Sequence, residues 1–270
     1  MTSSSSMTCP VTLTIAGSDS GGGAGIQADL RTFAFHKVHG TSALTCITAQ
    51  NTLGVNRVDA LPAEAVEAQI AAVATDIGVQ AAKTGMLLNQ SIIATVARQI
   101  KTYSITQLVV DPVMVSRAGA QLISDDAIAT LIHDLVPLAH VLTPNRYESQ
   151  ILSKMTIESL DDMIAAAKAI HTMGSSIVLV KGGGMPNDLQ GVDVYVDGDR
   201  VEVLRTQHVD TPNTHGTGCT LSAAIAANLA LGYEALSATK QAKEYVTQAL
   251  QHSLSIGSGQ GPVGHFFPLL

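Results

Sequence analysis

The residues best suited to chemistry form one short stretch, Asn213-Thr214-His215-Gly216-Thr217-Gly218-Cys219. The segment 220–230 is rich in alanine and leucine, so the stretch leads into a predicted helix. Glycines let a backbone approach a ligand closely, and the first N–H groups of a helix are unpaired and positively polarised. We predict a phosphate site here, with the Cys219 thiol beside it as a base that ionises more readily than a free cysteine. An ordinary glycine-rich loop with a buried cysteine is the alternative.

Four further candidates for ligand contacts lie near the carboxyl ends of predicted strands. Asp29 lies one turn into a helix and can accept a hydrogen bond from a substrate hydroxyl or amine. Gln50 ends a strand with an amide whose donor and acceptor suit a planar nitrogen heterocycle. Met86 and Val113 follow two more strands and can line an apolar slot for a flat ring. Each has an ordinary alternative, as a solvated helix residue, a turn amide or part of the core.

A third group of residues suits phosphate and metal chemistry. Asn145 and Glu148 are three residues apart and share one face of a helical first turn, where they can hold water on Mg²⁺. Asparagine is also an ordinary helix cap. Lys181 precedes three glycines and can offer its charge to a nucleotide phosphate. His215 is either a phosphate ligand or a residue that stabilises its loop.

The elements that must position these residues alternate between strands and helices. Strand patterns separated by helical ones predict a three-layer, doubly wound α/β fold, with a mostly parallel sheet and helices on both faces. An antiparallel edge hairpin is predicted at 192–196 and 200–204, joined through Asp197-Gly198. No repeat or linker divides the chain, so we expect a flexible tail over 1–10 and one domain over 11–270. The predicted parallel strands are 11–16, 41–48, 79–83, 107–111, 139–143 and 176–180.

Composition excludes several classes of function. The net charge of −7 and the lack of a Lys/Arg run argue against a nucleic-acid partner. No apolar run reaches the roughly 18 residues of a membrane helix, and the start of the chain does not resemble a signal peptide. Three scattered cysteines indicate neither a disulfide framework nor a zinc site. We therefore expect a cytoplasmic protein with a small-molecule partner.

Taken in order, these motifs resemble the ribokinase superfamily, and most closely its hydroxymethylpyrimidine/phosphomethylpyrimidine kinases of thiamine biosynthesis. The resemblance runs from Ile15 to Val263. The segments that carry it are Gly22-Gly23-Ala24-Gly25-Ile26-Gln27-Ala28-Asp29, Thr48-Ala49-Gln50-Asn51-Thr52, Lys83-Thr84-Gly85-Met86-Leu87, Asp111-Pro112-Val113-Met114, Thr143-Pro144-Asn145 with Glu148, and Asn213 to Ser222.

The resemblance implies two successive phosphorylations, of 4-amino-5-hydroxymethyl-2-methylpyrimidine and then of its monophosphate, with ATP and Mg²⁺. Sugar kinases of the superfamily have aspartate at the position of Cys219, whereas the pyrimidine kinases and some pyridoxal kinases have cysteine. The cysteine therefore argues against a sugar as the substrate. We also expect a homodimer. The implied roles are catalysis by Cys219 with an anion hole at Gly216, Thr217 and Gly218; substrate binding by Gly17, Asp29, Gln50, Met86 and Val113; nucleotide or phosphate binding by Asn145, Glu148, Lys181 and Thr214; and Mg²⁺ binding by Glu148 and Asn145 through water.

The chain departs from the family pattern in two places. Gly264 stands where the tail often has histidine, and Ser116-Arg117-Ala118-Gly119 replaces a loop that usually contains lysine. The second departure concerns lid or nucleotide contacts, and neither affects the proposed base.

Three other functions remain open from the residues. The nearest is a pyridoxal or pyridoxine kinase, because that ring also carries a hydroxymethyl group. An NAD-dependent oxidoreductase rests on the fingerprint Gly23-Ala24-Gly25-Ile26-Gln27-Ala28, but no Asp or Glu occurs between Asp29 and Asp59 to hold the ribose. A pyrimidine-binding regulatory module would need a degraded phosphoryl-transfer site, whereas the candidate residues are all present.

Overall fold

The structure is a computed structural model that describes residues 9–115 and 121–270. The predicted tail over 1–10 is therefore described only at Cys9 and Pro10. The loop at 116–119, which departs from the family pattern in sequence, lies outside the described residues.

The described strands form one nine-stranded sheet in the order β3-β2-β1-β4-β5-β6-β7-β8-β9. Neighbours from β2 to β7 are parallel, and β8 and β9 form the predicted antiparallel edge hairpin. The predicted mostly parallel α/β sheet is thereby confirmed. The strands are β1 Val11–Asp19, β2 His39–Asn51, β3 Gly54–Ala60, β4 Ala81–Thr84, β5 Leu108–Val110, β6 Val141–Leu142, β7 Ile177–Val180, β8 Asp193–Asp197 and β9 Arg200–Leu204.

The opposite edge of the sheet differs from the prediction. Strand β3 pairs antiparallel with β2, so the sheet has an antiparallel hairpin at both edges. All residues of β3 are exposed, and the strand therefore lacks the alternation of buried and exposed side chains that marks a half-buried strand. The hydrophobic pattern gave no signal for it.

The helices cover both faces of the sheet. Helices α1, α7 and α8 pack over one hydrophobic cluster, and α2 to α6 pack over the other. Asn89, Ser124 and Ser159 cap their helices by accepting backbone hydrogen bonds. None of the described helices has the length and apolar character required to cross a membrane. Their bounds are α1 Gly25–Phe35, α2 Ala63–Ala72, α3 Gln90–Thr102, α4 Asp125–Thr130, α5 Arg146–Ser153, α6 Leu160–His171, α7 Thr217–Ala230 and α8 Ala235–Gln251.

The order in which successive strands are added to the sheet reverses at β1. The chain passes from β1 to β2 on one side and then returns to place β4 on the other side of β1. Open α/β sheets bind ligands at such a switch point, outside the carboxyl ends of the strands. The glycine loop at 20–24 follows β1 there, and Gly85 and Met86 follow β4.

Strand alternation places three charged residues under α7. Ala81, Val109 and Leu179 belong to the cluster that α7 covers. Side chains two residues apart on a strand point to the same face, so each of these rows continues toward α7. The next residues in the three rows are Lys83, Asp111 and Lys181.

Candidate active site

Helix α7 begins with unpaired N–H groups. Its N-cap is Gly216, which has a φ of 83° and provides no side chain to cap the helix. Neither the Gly218 N–H nor the Cys219 N–H has an acceptor among the described residues. Both lie in the first turn of the helix, where the dipole is positive. The geometry is therefore that of an anion site.

Gly216 also packs tightly against the loop after β1. A Cβ at Gly216 would collide with the carbonyl oxygen of Gly23, and one at Gly23 would collide with the His215 ring. The two glycine-rich loops are in direct contact, and side chains at these positions would separate them. The backbone donors at the start of α7 are thus brought against the loop at the switch point.

A hydrogen-bond network joins the same two loops. Nε2 of His215 lies 2.8 Å from Oδ2 of Asp19 and 3.3 Å from Nε2 of Gln50. Asp19 also accepts hydrogen bonds from the N–H groups of Gly21, Gly23 and Ala24. Burial opposes the charge on Asp19, but the hydrogen bonds from His215 and Ala24 lower its pKa overall. His215 therefore stabilises its loop, and Gln50 lies beside it.

Lys181 lies next to the start of α7. Its Nζ donates to Oδ1 of Asp111 at 2.8 Å, and Oδ2 of Asp111 accepts from the Ser222 hydroxyl at 3.2 Å. A Cβ built on Gly218 would lie 3.5 Å from Nζ of Lys181. The ammonium group is consequently adjacent to the unpaired N–H groups. Burial opposes its charge, but Asp111 and Glu148 raise the pKa of Lys181.

Asn145 and Glu148 form a capping box at the start of α5. Oδ1 of Asn145 accepts from the Glu148 N–H at 3.0 Å, and Oε2 of Glu148 accepts from the Asn145 N–H at 2.8 Å. Oε1 of Glu148 accepts from the Met114 N–H at 3.3 Å. Burial raises the pKa of Glu148 to about 7, Asp111 adds to this increase, and Lys181 opposes it. The cap predicted as an alternative for Asn145 is present in the structure.

Asp29 is enclosed rather than open to a ligand. Its carboxylate oxygens lie 2.9 and 2.8 Å from Nζ of Lys83, and Oδ2 also accepts from the Thr14 hydroxyl at 2.6 Å. The side chains of Asp29 and Lys83 are both fully buried. The carboxylate is occupied by protein donors, so a direct contact with substrate is not available in this conformation.

The prediction that Cys219 ionises readily is wrong for this structure. Burial raises the pKa of the thiol, and it outweighs the ammonium group of Lys83, which lowers it. The carboxylates of Asp29 and Asp111 raise the pKa further, while the Gly25 N–H opposes the rise. The helix N-terminus alone predicts the opposite direction of the pKa shift, because the sequence shows neither how deeply the thiol is buried nor which carboxylates approach it.

The remaining predicted residues lie on the carboxyl side of the sheet. A Cβ on Gly17 would lie 3.1 Å from Cε of Met86, which brings two predicted substrate residues together. Val113 is half-buried and donates its N–H to the Asp111 carbonyl. The carbonyl of Thr214 accepts from both the N–H and the hydroxyl of Thr217. In the structure, Thr214 and Thr217 therefore shape the loop.

Gly264, one of the two departures from the family pattern, has a local explanation. A Cβ there would collide with the carbonyl oxygen of His252, so the close approach requires glycine. The following residue, His265, is buried with Nε2 2.9 Å from the Thr220 hydroxyl of α7. Burial lowers the pKa of His265 to about 4, and the histidine is therefore a neutral partner of this helix.

Sequence reasoning did not assign Asp19, Lys83 or Asp111 to the site. Lys83 did carry a signal, because a lysine among buried strand residues is almost never fully buried without a partner. Asp19 is the last residue of β1 and Asp111 directly follows β5, and ligand sites are common at such strand ends. Their partners lie in distant segments, so spacing alone could not reveal them. Among the described residues, no group of three or more His, Cys, Asp or Glu side chains is arranged to hold a metal ion.

Comparison with known proteins identifies the family. The family model for phosphomethylpyrimidine kinase matches residues 19–264. The chain belongs to the phosphomethylpyrimidine kinase family. A hydroxymethylpyrimidine/phosphomethylpyrimidine kinase from Synechococcus elongatus is 59% identical over 263 residues, which cover 97% of this chain and 100% of the relative.

Solved structures show the same fold in two named activities. The ADP complex of Bacillus subtilis pyridoxal kinase is 42% identical with a TM-score of 0.91, over 97% of this chain and 99% of that one. A phosphomethylpyrimidine kinase from Clostridium difficile is 42% identical with a TM-score of 0.80, over 89% of this chain and 99% of that one. As a member of the phosphomethylpyrimidine kinase family, the chain is a phosphotransferase, and the oxidoreductase alternative is not supported.

Proposed function

We propose that this protein transfers the γ-phosphoryl group of ATP twice. The first acceptor is the hydroxymethyl group of 4-amino-5-hydroxymethyl-2-methylpyrimidine, and the second is the monophosphate formed in the first step. The product is the diphosphate used in thiamine biosynthesis. Residues 11–270 are proposed to act as one kinase domain, since the single sheet runs through the chain from β1 to β9.

One observation carries this proposal. The unpaired N–H groups of Gly218 and Cys219 lie beside the Lys181 ammonium group, at the carboxyl edge of the sheet and against the loop at its switch point. Phosphoryl transfer requires positioning and stabilisation of charge on the transferred group, rather than a large set of reactive side chains. Backbone donors and one lysine supply that stabilisation.

In the first transfer, Cys219 in its thiolate form accepts the proton of the substrate hydroxyl. The hydroxyl oxygen forms a bond to the γ-phosphorus while the bond from that phosphorus to the bridging oxygen breaks and ADP leaves. The Gly218 and Cys219 N–H groups stabilise the negative charge of the transferred group. In the second transfer the attacking oxygen belongs to a phosphate that is already anionic. A base therefore contributes much less to that step.

Magnesium is the metal that this chemistry implies, and Glu148 and Asn145 are proposed to hold it through water. The donor set fits this role, because oxygen ligands suit Mg²⁺ and both carboxylate oxygens of Glu148 already accept backbone N–H groups. Direct coordination by a cage of protein side chains is thus not expected. When bound, the ion would offset the negative charge of the phosphates.

The pyrimidine ring is proposed to bind beside Gly17, Gln50, Met86 and Val113. Gly17 and Met86 approach each other closely, and the Gln50 amide lies at the contact between the two loops. An apolar slot with one amide suits a flat ring that carries ring nitrogens and an amino group. Asp29 is no longer proposed as a direct contact, since Lys83 and Thr14 occupy its carboxylate.

Product analysis tests the function directly. The protein is incubated with ATP, Mg²⁺ and the pyrimidine alcohol, and products are identified by mass. We expect one and then two added phosphates. A single added phosphate that never proceeds to the second would restrict the proposal to the first transfer, and no phosphorylated pyrimidine would overturn it.

A pyridoxal or pyridoxine kinase is the second candidate. The structural similarity to Bacillus subtilis pyridoxal kinase favours it, since that enzyme shares the fold with a TM-score of 0.91. The two candidates are separated by measuring kcat/KM for the pyrimidine alcohol and for pyridoxine with the same preparation. A higher value for pyridoxine would make the vitamin B6 compound the preferred substrate.

We also propose that the protein is a cytoplasmic homodimer. Ile47, Val55 and Val58 are 48%, 53% and 41% exposed on the hairpin of β2 and β3, and these apolar side chains on an edge suit a second copy. Cys9, Cys46 and Cys219 are all free thiols, which suits a reducing compartment. Sedimentation of the wild type and of Val55→Asp tests the dimer, and cell fractionation tests the compartment.

A further inference from the structure

The Lys83–Asp29 pair is the most deeply enclosed charged feature near the site. Thr14 on β1 and Lys83 on β4 are direct neighbours in the sheet. Their side chains share the face covered by α1 and α7, and Asp29 enters from α1 to meet both. Neither side chain of the ion pair is exposed to solvent. A fully buried ion pair is costly to desolvate, so the pair by itself is weak evidence for a gain in stability.

The hydrogen bonds of this pair leave one donor unused. A protonated lysine has three N–H donors, and the two oxygens of Asp29 account for two of them. Among the described residues, no acceptor takes the third N–H of Lys83. The short bond from Thr14, at 2.6 Å, holds Asp29 from the other side and fixes the orientation of its carboxylate.

Cys219 lies in the first turn of α7, on the face of the sheet toward which the β4 row of Ala81 and Lys83 points. The thiol and the ion pair are therefore on the same side of the sheet, and both charges of the pair act on the thiol. The ammonium group of Lys83 favours the thiolate, whereas the carboxylate of Asp29 opposes it. Two other charged groups face the thiol: Asp111 after β5 opposes the thiolate, and Lys181 after β7 favours it. Burial opposes the charge on Lys83, but Asp29, Cys219 and Asp111 raise its pKa, so it remains an ammonium group.

We propose that Lys83 and Asp29 are a positioning pair for the Cys219 thiol. Lys83 supplies the fixed positive charge that allows the thiol to release its proton, and Asp29 holds Lys83 in place while limiting that charge. Neither residue touches the substrate. The pair acts through Cys219, so this inference rests on the proposed role of Cys219 in the first transfer.

The pair has a defined effect on the reaction. The thiolate accepts the hydroxyl proton in the first transfer and becomes a thiol, which then returns the proton to solvent. A cation close to the sulfur increases the fraction of thiolate that is present before the substrate hydroxyl is deprotonated. The second transfer does not require this proton acceptor. The pair is therefore expected to influence the first transfer selectively.

Two nearly isosteric substitutions separate this role from a structural one. In Lys83→Met the cation is lost, and in Asp29→Asn the carboxylate charge is lost while the shape is kept. Alkylation of Cys219 by iodoacetamide is followed against pH, with each cysteine peptide quantified by mass. We expect the pH midpoint for Cys219 to rise by about one unit in Lys83→Met and to fall by a similar amount in Asp29→Asn, about tenfold in rate each way at fixed pH.

The exposed Cys9 provides an internal reference in every sample. A merely structural role would destabilise both variants and move the two midpoints in the same direction or not at all, and either result would overturn the proposal. If Lys83→Met does not fold, Thr14→Val takes its place. Loss of the Thr14 hydroxyl leaves the Asp29 charge less compensated, so a smaller upward shift is expected, about threefold in rate.

Turnover gives the second readout. Lys83→Met is expected to lower kcat/KM of the first transfer about tenfold and to leave the second within about twofold. Failure of the proposed function is distinguishable, because a protein that does not phosphorylate the pyrimidine would still show the opposite midpoint shifts. Unchanged midpoints in a protein that performs both transfers would reject the positioning pair alone.

Discussion

Two lysine–aspartate pairs lie under the N-terminus of α7, and they differ mainly in exposure. Lys83 and Asp29 are 2.8 Å apart with both side chains 0% exposed. Lys181 and Asp111 are also 2.8 Å apart, but their side chains are 12% and 4% exposed. Each lysine continues a strand row that points toward α7. The same residue types on neighbouring rows are thus placed in two different environments.

The difference in exposure separates two kinds of function. The side chain of Lys181 is partly exposed and lies next to Gly218 and the unpaired N–H groups, so it borders the proposed phosphate site. The side chain of Lys83 is fully buried against Asp29 of α1, so it has no solvent-accessible surface for a direct contact with a ligand. We therefore call Lys181 and Asp111 the open pair, and Lys83 and Asp29 the closed pair. The open pair should affect both transfers, and the closed pair only the first.

The largest effect is expected at Gly218, which lies beside the open pair. Proline lacks the N–H but is tolerated in the first turn of a helix, where that group is unpaired. Gly218→Pro should therefore lower both transfers by about a thousandfold, because backbone donors stabilise the transferred group in each. Steady-state assays with the alcohol and with the monophosphate measure the two losses separately.

Gly218→Ala is the matched control for the proline variant. It keeps the N–H, and its Cβ would make an ordinary contact at 3.5 Å from Nζ of Lys181. We expect both transfers to remain within about tenfold of the wild type. Equal losses in the alanine and proline variants would mean that the space beside Lys181, rather than the N–H group, is what the reaction needs.

The second prediction concerns Glu148, whose buried carboxyl group is within electrostatic range of both members of the open pair. The pKa of Glu148 is raised from 4.5 to about 7, mainly by burial. The folded protein therefore holds this proton after the unfolded chain has lost it. The stability that this difference provides is fully present below pH 4.5 and is lost as the pH rises through 7. The interval corresponds to about 3 kcal/mol.

Glu148→Gln stays neutral and should not lose this stability. The free energy of unfolding in urea, measured without Mg²⁺ from pH 4.5 to 7.5, should rise relative to the wild type by about 3 kcal/mol across that range. Glu158→Gln, which replaces an exposed glutamate, is measured in parallel as the control. A flat difference for Glu148→Gln would show that its carboxyl ionises as an exposed one does.

The third prediction separates the two transfers at Cys219. Cys219→Ala removes the proposed proton acceptor and should lower the first transfer by about a hundredfold, while the second stays within about threefold. Lys181→Met is the contrasting variant, and it should lower both transfers because its charge faces the phosphates. Equal losses of both transfers in Cys219→Ala would remove the base from the mechanism, and with it the difference between the open and closed pairs.

The sequence was sufficient for most of the fold and for part of the site. Buried strands alternate regularly with helices, so the parallel sheet followed from hydrophobic pattern, whereas β3 is exposed throughout and left no such pattern. The glycine-rich start of α7 was likewise readable from local residues. The direction of the Cys219 pKa shift was not, because burial of the thiol raises the pKa most, and Asp29 and Asp111, which only the fold brings close to the thiol, add to the rise. The ion pair of Asp29 could not be predicted for the same reason, because its partner Lys83 is 54 residues away.

The smallest expected effects come from the hydroxyl groups that hold the two aspartates. Thr14 donates to Asp29 at 2.6 Å, and Ser222 donates to Asp111 at 3.2 Å. The shorter bond to a carboxylate with no access to solvent should be the stronger one. Thr14→Val should therefore cost about 2 kcal/mol in the free energy of unfolding, and Ser222→Ala about 1 kcal/mol.

The Ser222 hydroxyl also lies within hydrogen-bond distance of carbonyls in its own helix, which weakens its hydrogen bond to Asp111. Urea denaturation of both variants at one pH measures the order. A larger cost for Ser222→Ala would mean that the open pair, despite its exposure, is the one that depends more on its hydroxyl partner.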